Sequence, residues 1–103
     1  MACGAASVVQ EANEEIQAIC DQMKVHVEAK CGRKFGSFEA THFRSQVVAG
    51  TNYFIKVHVG NGSYLHLRVF QTLPFAGQNL ELVAMLMDKT EDDELNYFDK
   101  GRN

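Results

Sequence analysis

Two runs of alternating apolar and polar residues constrain the fold of this chain more than any other feature. Side chains at successive positions of a strand point to opposite faces, so a pattern of period two predicts half-buried strands. Gly60-Asn61-Gly62 separates the runs and predicts a hairpin between them. The apolar positions are Tyr53, Ile55, Val57 and Val59 in the first run and Leu65, Leu67 and Val69 in the second.

The register of this hairpin follows from its apolar residues. A two-residue turn at Asn61-Gly62 would pair Val57 with His66, whereas a loop of odd length pairs Val57 with an apolar residue such as Leu65. A slip of one residue would move every apolar side chain of a strand to the wrong face. We therefore expect an odd-numbered loop through residues 60–62.

A helical pattern precedes the strands. Asn13 is a suitable N-cap and Gly32 a suitable left-handed stop, so the sequence predicts a helix from about residue 13 to 31. Residues 1–12 are expected to form an arm rather than a regular element. The apolar residues recur at steps of three and four, which places them on one helical stripe: Ile16, Ile19, Cys20, Met23, Val27 and Cys31.

Two further strands complete the predicted sheet, from about Phe38 to Gln46 and from about Leu80 to Met87. One helix followed by four successive strands favours an α+β domain, in which an antiparallel meander wraps against a single N-terminal α-helix. The length of 103 residues is typical of one domain.

Two of the predicted connections carry apolar residues where loops are usually polar. They are Gln46-Val47-Val48-Ala49-Gly50 and Leu73-Pro74-Phe75-Ala76-Gly77. Successive hairpin loops of a meander lie at alternate ends of the sheet, so these two are expected to be neighbours at one end. Clustered apolar tips are typical of a docking edge. The alternative is that Val47 completes a strand and only Val48 is exposed.

Charge and composition exclude several classes of function. The formal net charge of -3 lacks the positive surplus of a nucleic-acid-binding protein. No run approaches the ~20 apolar residues that span a membrane, and the first residues lack the pattern of a signal peptide. We therefore expect neither a nucleic-acid nor a membrane partner. Two charged sets are expected to be solvated: an outer sheet face with Lys56, His58, His66 and Arg68, and the acidic run Glu91–Glu94.

The sequence contains no recognisable catalytic or metal-binding motif. Cys3, Cys20 and Cys31 lack C-x-x-C spacing, and no H-x-x-x-H, P-loop or nucleophile elbow occurs. We therefore expect no enzyme activity, no metal and no cofactor. An odd number of cysteines indicates reduced thiols, with one disulfide and one spare thiol as the alternative.

The first apolar connection resembles a known family. Gln46-Val47-Val48-Ala49-Gly50 is similar to the signature pentapeptide of the cystatin superfamily, inhibitors of papain-like cysteine proteases. The run SQVVAGTNYFIKVHVG from Ser45, with HLRVFQ from His66 and Leu73-Pro74, resembles the stefins, the intracellular branch. The resemblance implies a cystatin-like fold, a stefin-type domain at residues 1–98 and a short C-terminal extension at 99–103. It also implies a cytoplasmic location, with the nucleus left open.

The resemblance further implies how the chain binds a protease. Three pieces are expected to line up on one edge and fill the cleft, so that inhibition is reversible and competitive and the partners are cathepsin-type proteases. A non-inhibitory interaction or scaffold protein on the same fold is the alternative. The implied contacts are the trunk Ala2, Cys3 and Gly4, the first loop Gln46, Val47, Val48, Ala49 and Gly50, and Leu73 and Pro74 of the second loop.

The first loop also suggests an oligomer. Val47 and Val48 are β-branched and fit poorly in a tight reversal, which can store about 1–3 kcal/mol of strain. Straightening the loop would join its flanking strands, and the helix and first strand would then pack on a partner molecule. We expect mainly a monomer, with a domain-swapped dimer that does not inhibit.

Overall fold

The sheet and helix of the computed structural model follow the predicted order, with one added strand. The structure describes residues 6–73 and 79–98. Over these residues it has a helix, α1 (Glu14–Cys31), and the strands β1 (Gln10–Glu11), β2 (Glu39–Val48), β3 (Gly50–Gly60), β4 (Ser63–Gln71) and β5 (Leu80–Lys89). The strands form one antiparallel sheet in sequence order. This arrangement confirms the predicted fold class.

The helix begins and ends at the residues predicted to cap it. Asn13 Oδ1 accepts a hydrogen bond from the N–H of Ile16 at 2.9 Å. Gly32 adopts a left-handed φ of 72°, and its N–H donates to the carbonyl of Glu28. Cys31 at the end of the predicted stripe is only partly buried, whereas the rest of the stripe is buried: Ile16, Ile19, Cys20, Met23 and Val27.

The hydrophobic core lies between this stripe and the inner face of the sheet. Phe43, Ile55, Leu67 and Met85 lie opposite one another across β2 to β5, and each is at most 8% exposed. Full burial of an apolar side chain contributes about 1.5–3 kcal/mol. This packing is therefore the main support for the strands that carry the two apolar connections.

The β3–β4 hairpin has the predicted register but not the predicted loop. Val57 pairs with Leu65, as expected. Gly60, however, pairs with Ser63, so the loop is the two-residue turn Asn61-Gly62, both at positive φ. A bulge in β3 just before the turn supplies the odd residue and returns the apolar side chains to one face. The expected odd-numbered loop was therefore wrong, because a bulge corrects the register equally well.

The outer face of the sheet is covered rather than solvated. Residues 90–98, here called the C-terminal segment, cross this face after β5. Leu95 of the segment is 2% exposed, and Phe54 beneath it is fully buried with its ring 5.5 Å from that of Tyr97. The predicted solvation is wrong for Lys56 and His66, which are 8% and 1% exposed. The alternation within a strand does not reveal what a later segment will cover.

Cationic side chains of the sheet hold the C-terminal segment by its backbone. A charged donor strengthens a hydrogen bond and offsets part of the cost of burying the charge. The acidic side chains of the segment remain largely exposed, as predicted. The bonds run from Lys56 Nζ to the carbonyls of Glu91 and Asp93 (both 2.7 Å), from Arg44 Nη1 to that of Leu95 (2.9 Å), and from Arg68 Nη1 to that of Phe98 (3.1 Å).

The short strand β1 was not predicted. Gln10 pairs with Phe43 and Glu11 with His42, so the expectation of an arm without regular structure is wrong for these two residues. Both are exposed, and their pairing comes from backbone hydrogen bonds that leave no hydrophobic pattern in the sequence.

The strand at the opposite edge, β5, is irregular. Its register against β4 shifts at two places. Asp88 adopts a φ of 58°, which is uncommon for a residue with a side chain. Such irregularities bend a strand and increase its twist.

Candidate functional site

The tip of the β2–β3 hairpin is tighter than the predicted loop. Strand β2 continues to Val48 and β3 resumes at Gly50, so only Ala49 lies between them. The run predicted as a loop is therefore mostly paired strand, which makes the tip a narrow projection. The pairs nearest the tip are Gln46 with Asn52, Val47 with Thr51 and Val48 with Gly50.

Gln46 supports this tip from beneath its surface. Its side chain is 9% exposed, and its Oε1 accepts a hydrogen bond from Asn52 Nδ2 at 2.8 Å. This cross-strand bond ties β2 to β3 just below Val47. Sequence analysis missed Asn52, although its position opposite Gln46 in a hairpin centred on Ala49 would have identified it.

Both valines of the tip are exposed. Val47 is 66% exposed and Val48 is 38% exposed, so the alternative in which only Val48 is exposed is wrong. Ala49 between the strands is also exposed. The backbone of the tip is already paired, and these exposed side chains do not pack into the hydrophobic core. Exposed apolar side chains of this kind are typical of a binding edge.

Gly50 allows the end of β4 to pack against the tip. Its φ is 122°, and a Cβ there would lie 2.6 Å from both the carbonyl oxygen of Gln71 and the ring of Phe70. A side chain at this position would therefore clash with β4, whereas glycine permits the close approach. Thr51 pairs with Gln71 in the same region.

The second connection begins at this end of the sheet. Thr72 donates its N–H to the carbonyl of Asn79 at 3.0 Å, and the N–H of Asn79 donates to Thr72 Oγ1 at 2.7 Å. These bonds close the base of the connection. Leu73, partly buried, follows directly, whereas Pro74 lies outside the described residues. The predicted adjacency of the two connections is confirmed for the parts that the structure describes.

The N-terminal segment follows β2 towards the tip. Ser7 donates its N–H to the carbonyl of Ser45 at 2.7 Å, and Ser7 Oγ accepts from the N–H of Ser45 at 3.0 Å. Since this segment is antiparallel to β2, it runs from β1 back to Ser7 in the direction of the tip. The predicted trunk residues Ala2, Cys3 and Gly4 lie outside the described residues.

The two groups with large pKa shifts, His66 and Cys20, lie away from the tip. On the outer face, burial is the main cause that lowers the pKa of His66 to about 4, and the positive charges of Lys56 and Lys89 lower it further, against an opposing effect of Asp93. In the core, burial raises the pKa of Cys20 to about 12. None of the described tip residues has an ionisable side chain, so the tip is suited to binding rather than to proton transfer.

The cysteines of the structured region are free thiols. Cys20 is fully buried, and Cys31 is partly buried with its Sγ 3.2 Å from the Sδ of Met87. The prediction of reduced thiols is confirmed for this pair, while Cys3 lies outside the described residues. Within residues 6–73 and 79–98, no cluster of His, Cys, Asp or Glu is arranged to hold a metal ion, and no helix is long and apolar enough to cross a membrane.

Comparisons with known proteins match nearly the whole chain. A model of the cystatin domain matches residues 4–91. The proteins named Cystatin-B from Paralichthys olivaceus and Homo sapiens are each 52% identical over 98 residues, which is 95% of this chain and 100% of each relative. The Cystatin-B of Oplegnathus fasciatus is 46% identical over 95% of this chain and 98% of its own length.

Proposed function

This chain belongs to the cystatin family, and from that membership we propose that it inhibits papain-like cysteine proteases by reversible, competitive binding in the active-site cleft. Members of this family are protease inhibitors rather than enzymes. The observation that carries the proposal is the exposure of Val47 and Val48 on a fully paired hairpin tip. The proposed contacts are Ala2, Cys3, Gly4, Gln46, Val47, Val48, Ala49, Gly50, Leu73 and Pro74, with Gln46 acting from beneath.

The shape of the tip supports blockage without cleavage. A protease cleaves a substrate that lies extended through its cleft, whereas this chain reverses at Ala49. Extending the tip would break the ladder pairs on either side of it, including Val47 with Thr51. The tip can therefore enter the cleft without presenting a bond in the geometry that cleavage requires.

Hydrophobic burial and preorganisation of the tip both favour tight binding, although they do not supply all of its free energy. Nanomolar affinity corresponds to about 12 kcal/mol. Val47 is 66% exposed, Val48 is 38% exposed and Leu73 is partly buried, so burying the remaining surface of these three side chains supplies about 2–4 kcal/mol, on a scale of about 1.5–3 kcal/mol for a fully exposed side chain. Backbone and trunk contacts must supply the rest and also offset the cost of association. The bond between Gln46 and Asn52 holds the tip before binding, which reduces that cost.

The test is the titration of active papain against a fluorogenic peptide. We expect stoichiometric loss of activity with the parent chain and at least tenfold weaker inhibition with Val48→Asp, because a carboxylate would be desolvated in the cleft. Val25→Asp is the matched control, since Val25 is an exposed valine on α1. Papain that stays active with the parent would favour a scaffold protein, and equal effects of the two variants would exclude the tip as the contact.

We also propose a mainly monomeric state with a domain-swapped dimer. Gly50, with a φ of 122°, takes part in the chain reversal, while Val47 and Val48 remain paired in their strand. The strain that we propose for the two valines therefore does not arise from positive φ values. Since only Ala49 separates β2 from β3, a small change would join them into one strand. Mild heating at high concentration should give a dimer inactive against papain, and Val48→Asn with Ala49→Gly should suppress it. A dimer with full inhibition per chain would refute the swap.

The remaining proposals concern location, targets and domain extent. We propose a cytoplasmic location, with the nucleus left open, and the free thiols of Cys20 and Cys31 are consistent with a reducing compartment. The proposed partners are cathepsin-type proteases. Residues 1–98 form the proposed inhibitory domain and residues 99–103 an extension.

A further inference from the structure

Arg44 joins the two ends of the described chain. Its Nε donates to the carbonyl of Ser7 at 2.8 Å, and its Nη1 donates to the carbonyl of Leu95 at 2.9 Å. The planar guanidinium fixes the angle between these two donors, so the positions of both carbonyls are set together. Leu95 is 2% exposed and therefore offers a rigid anchor on the outer face.

Ser7 is the last point at which the described N-terminal segment is held by several bonds. Its N–H, carbonyl and hydroxyl oxygen all bond to two consecutive residues of β2, Arg44 and Ser45. Only residues 5 and 6 separate Ser7 from Gly4, and three residues span at most about 10 Å. The position and direction of Ser7 therefore limit where residues 2–4 can reach.

We propose that Arg44 and Ser7 are positioning residues for the N-terminal trunk, with the guanidinium of Arg44 held in its orientation by the bond to the Leu95 carbonyl. This inference rests on the proposed inhibitory function. Neither residue is expected to touch the protease. Their effect on affinity passes through residues 2–4, because a trunk whose origin is fixed loses less conformational freedom when it binds.

A positioning role predicts an effect that a merely structural role would not produce, namely a loss of inhibition whose size depends on the presence of residues 1–4. Arg44→Met should weaken inhibition of papain about tenfold in the full chain and less than about twofold in a chain lacking residues 1–4, since coupled sites are not additive. Amide exchange should speed up at Ser7, whose N–H bonds to Ser45, while the central amides of β3 stay protected.

Lys56→Met is the matched control. Lys56 also lies on the outer face and bonds to the C-terminal segment, through the carbonyls of Glu91 and Asp93. Because these bonds do not involve Ser7, any loss of inhibition with Lys56→Met should be the same with and without residues 1–4.

The outcomes separate this inference from the proposed function. A parent chain that leaves papain active overturns both. Suppose that the parent inhibits papain and that removal of residues 1–4 weakens this inhibition. If Arg44→Met then weakens inhibition equally in chains with and without residues 1–4, only the positioning role is overturned. A parent that inhibits equally well without residues 1–4 also refutes the positioning role, as does a trunk-dependent loss of the same size with Lys56→Met.

Discussion

Replacing His66 with leucine should make the protein less sensitive to acid. The imidazole is 1% exposed, and its Nε2 has no hydrogen-bond partner among the described residues. Positive charges face it from β3 and β5, at Lys56 and Lys89, while the C-terminal segment contributes the opposing Asp93. Burial and these cations lower its pKa from 6.5 to about 4, so between these values the unfolded chain binds more protons than the folded protein.

Stability should consequently fall as the pH decreases through this range. A folded pKa of about 4 and an unfolded pKa of 6.5 correspond to a loss of roughly 2–3 kcal/mol between pH 7.5 and pH 4.5. The contribution is fully present above pH 6.5 and is lost as the pH falls towards 4. His66→Leu removes the group that must take up a proton on unfolding, while keeping an apolar side chain of similar size in the buried site.

Urea unfolding at several pH values measures this difference. The free energy of unfolding of the parent should decrease by roughly 2–3 kcal/mol more than that of His66→Leu between pH 7.5 and 4.5. His26→Leu is the control, since His26 is exposed on α1, and it should follow the parent. Parallel pH dependence of the parent and His66→Leu would refute the assignment of a buried, neutral imidazole.

Two further predictions concern the core and the functional edge. Gly50→Ala should destabilise the protein by about 2–6 kcal/mol in urea unfolding, because its Cβ would meet the Gln71 carbonyl at a strained φ. Gly36→Ala, which meets no atom within 4 Å, is the control, and a loss at Gly50 below about 1 kcal/mol would contradict the clash. In the native protein Cys31 should react with a thiol reagent much faster than fully buried Cys20, whose pKa burial raises to about 12. Mass spectrometry of digested peptides measures the labelling rates of both cysteines. Unfolding in urea should make these two rates equal, whereas equal rates in the native protein would contradict the burial of Cys20.

Local features were predictable from the sequence. The helix depends on its caps at Asn13 and Gly32 and on the spacing of its apolar residues. All of these features can be read from one short stretch of sequence. The register of β3 on β4 follows from matching apolar faces, although the bulge that achieves it carries no sequence signal. The neighbouring positions of the two apolar connections follow from the alternation of loops in a meander.

Features that depend on distant backbone groups were not predictable. Lys56 has the sequence pattern of a solvated residue, yet the carbonyls of a segment much later in the chain bind and bury it. The pairing of β1 likewise uses backbone groups, which all residue types share. For the same reason Arg44 gave no sign of its link between Ser7 and Leu95.

The two outer strands of the sheet bear on the kinetics of self-association. Strand β1 has two residues, and the register of β5 on β4 is interrupted twice, with Asp88 in a left-handed conformation. Neither strand offers a long, flat row of backbone groups to which an intact neighbour could add a strand. Self-association should therefore require the sheet to open first within one molecule, and this opening step is unimolecular. The rate at which dimers appear should then approach a limit as the protein concentration rises, set by the opening rate of a single chain.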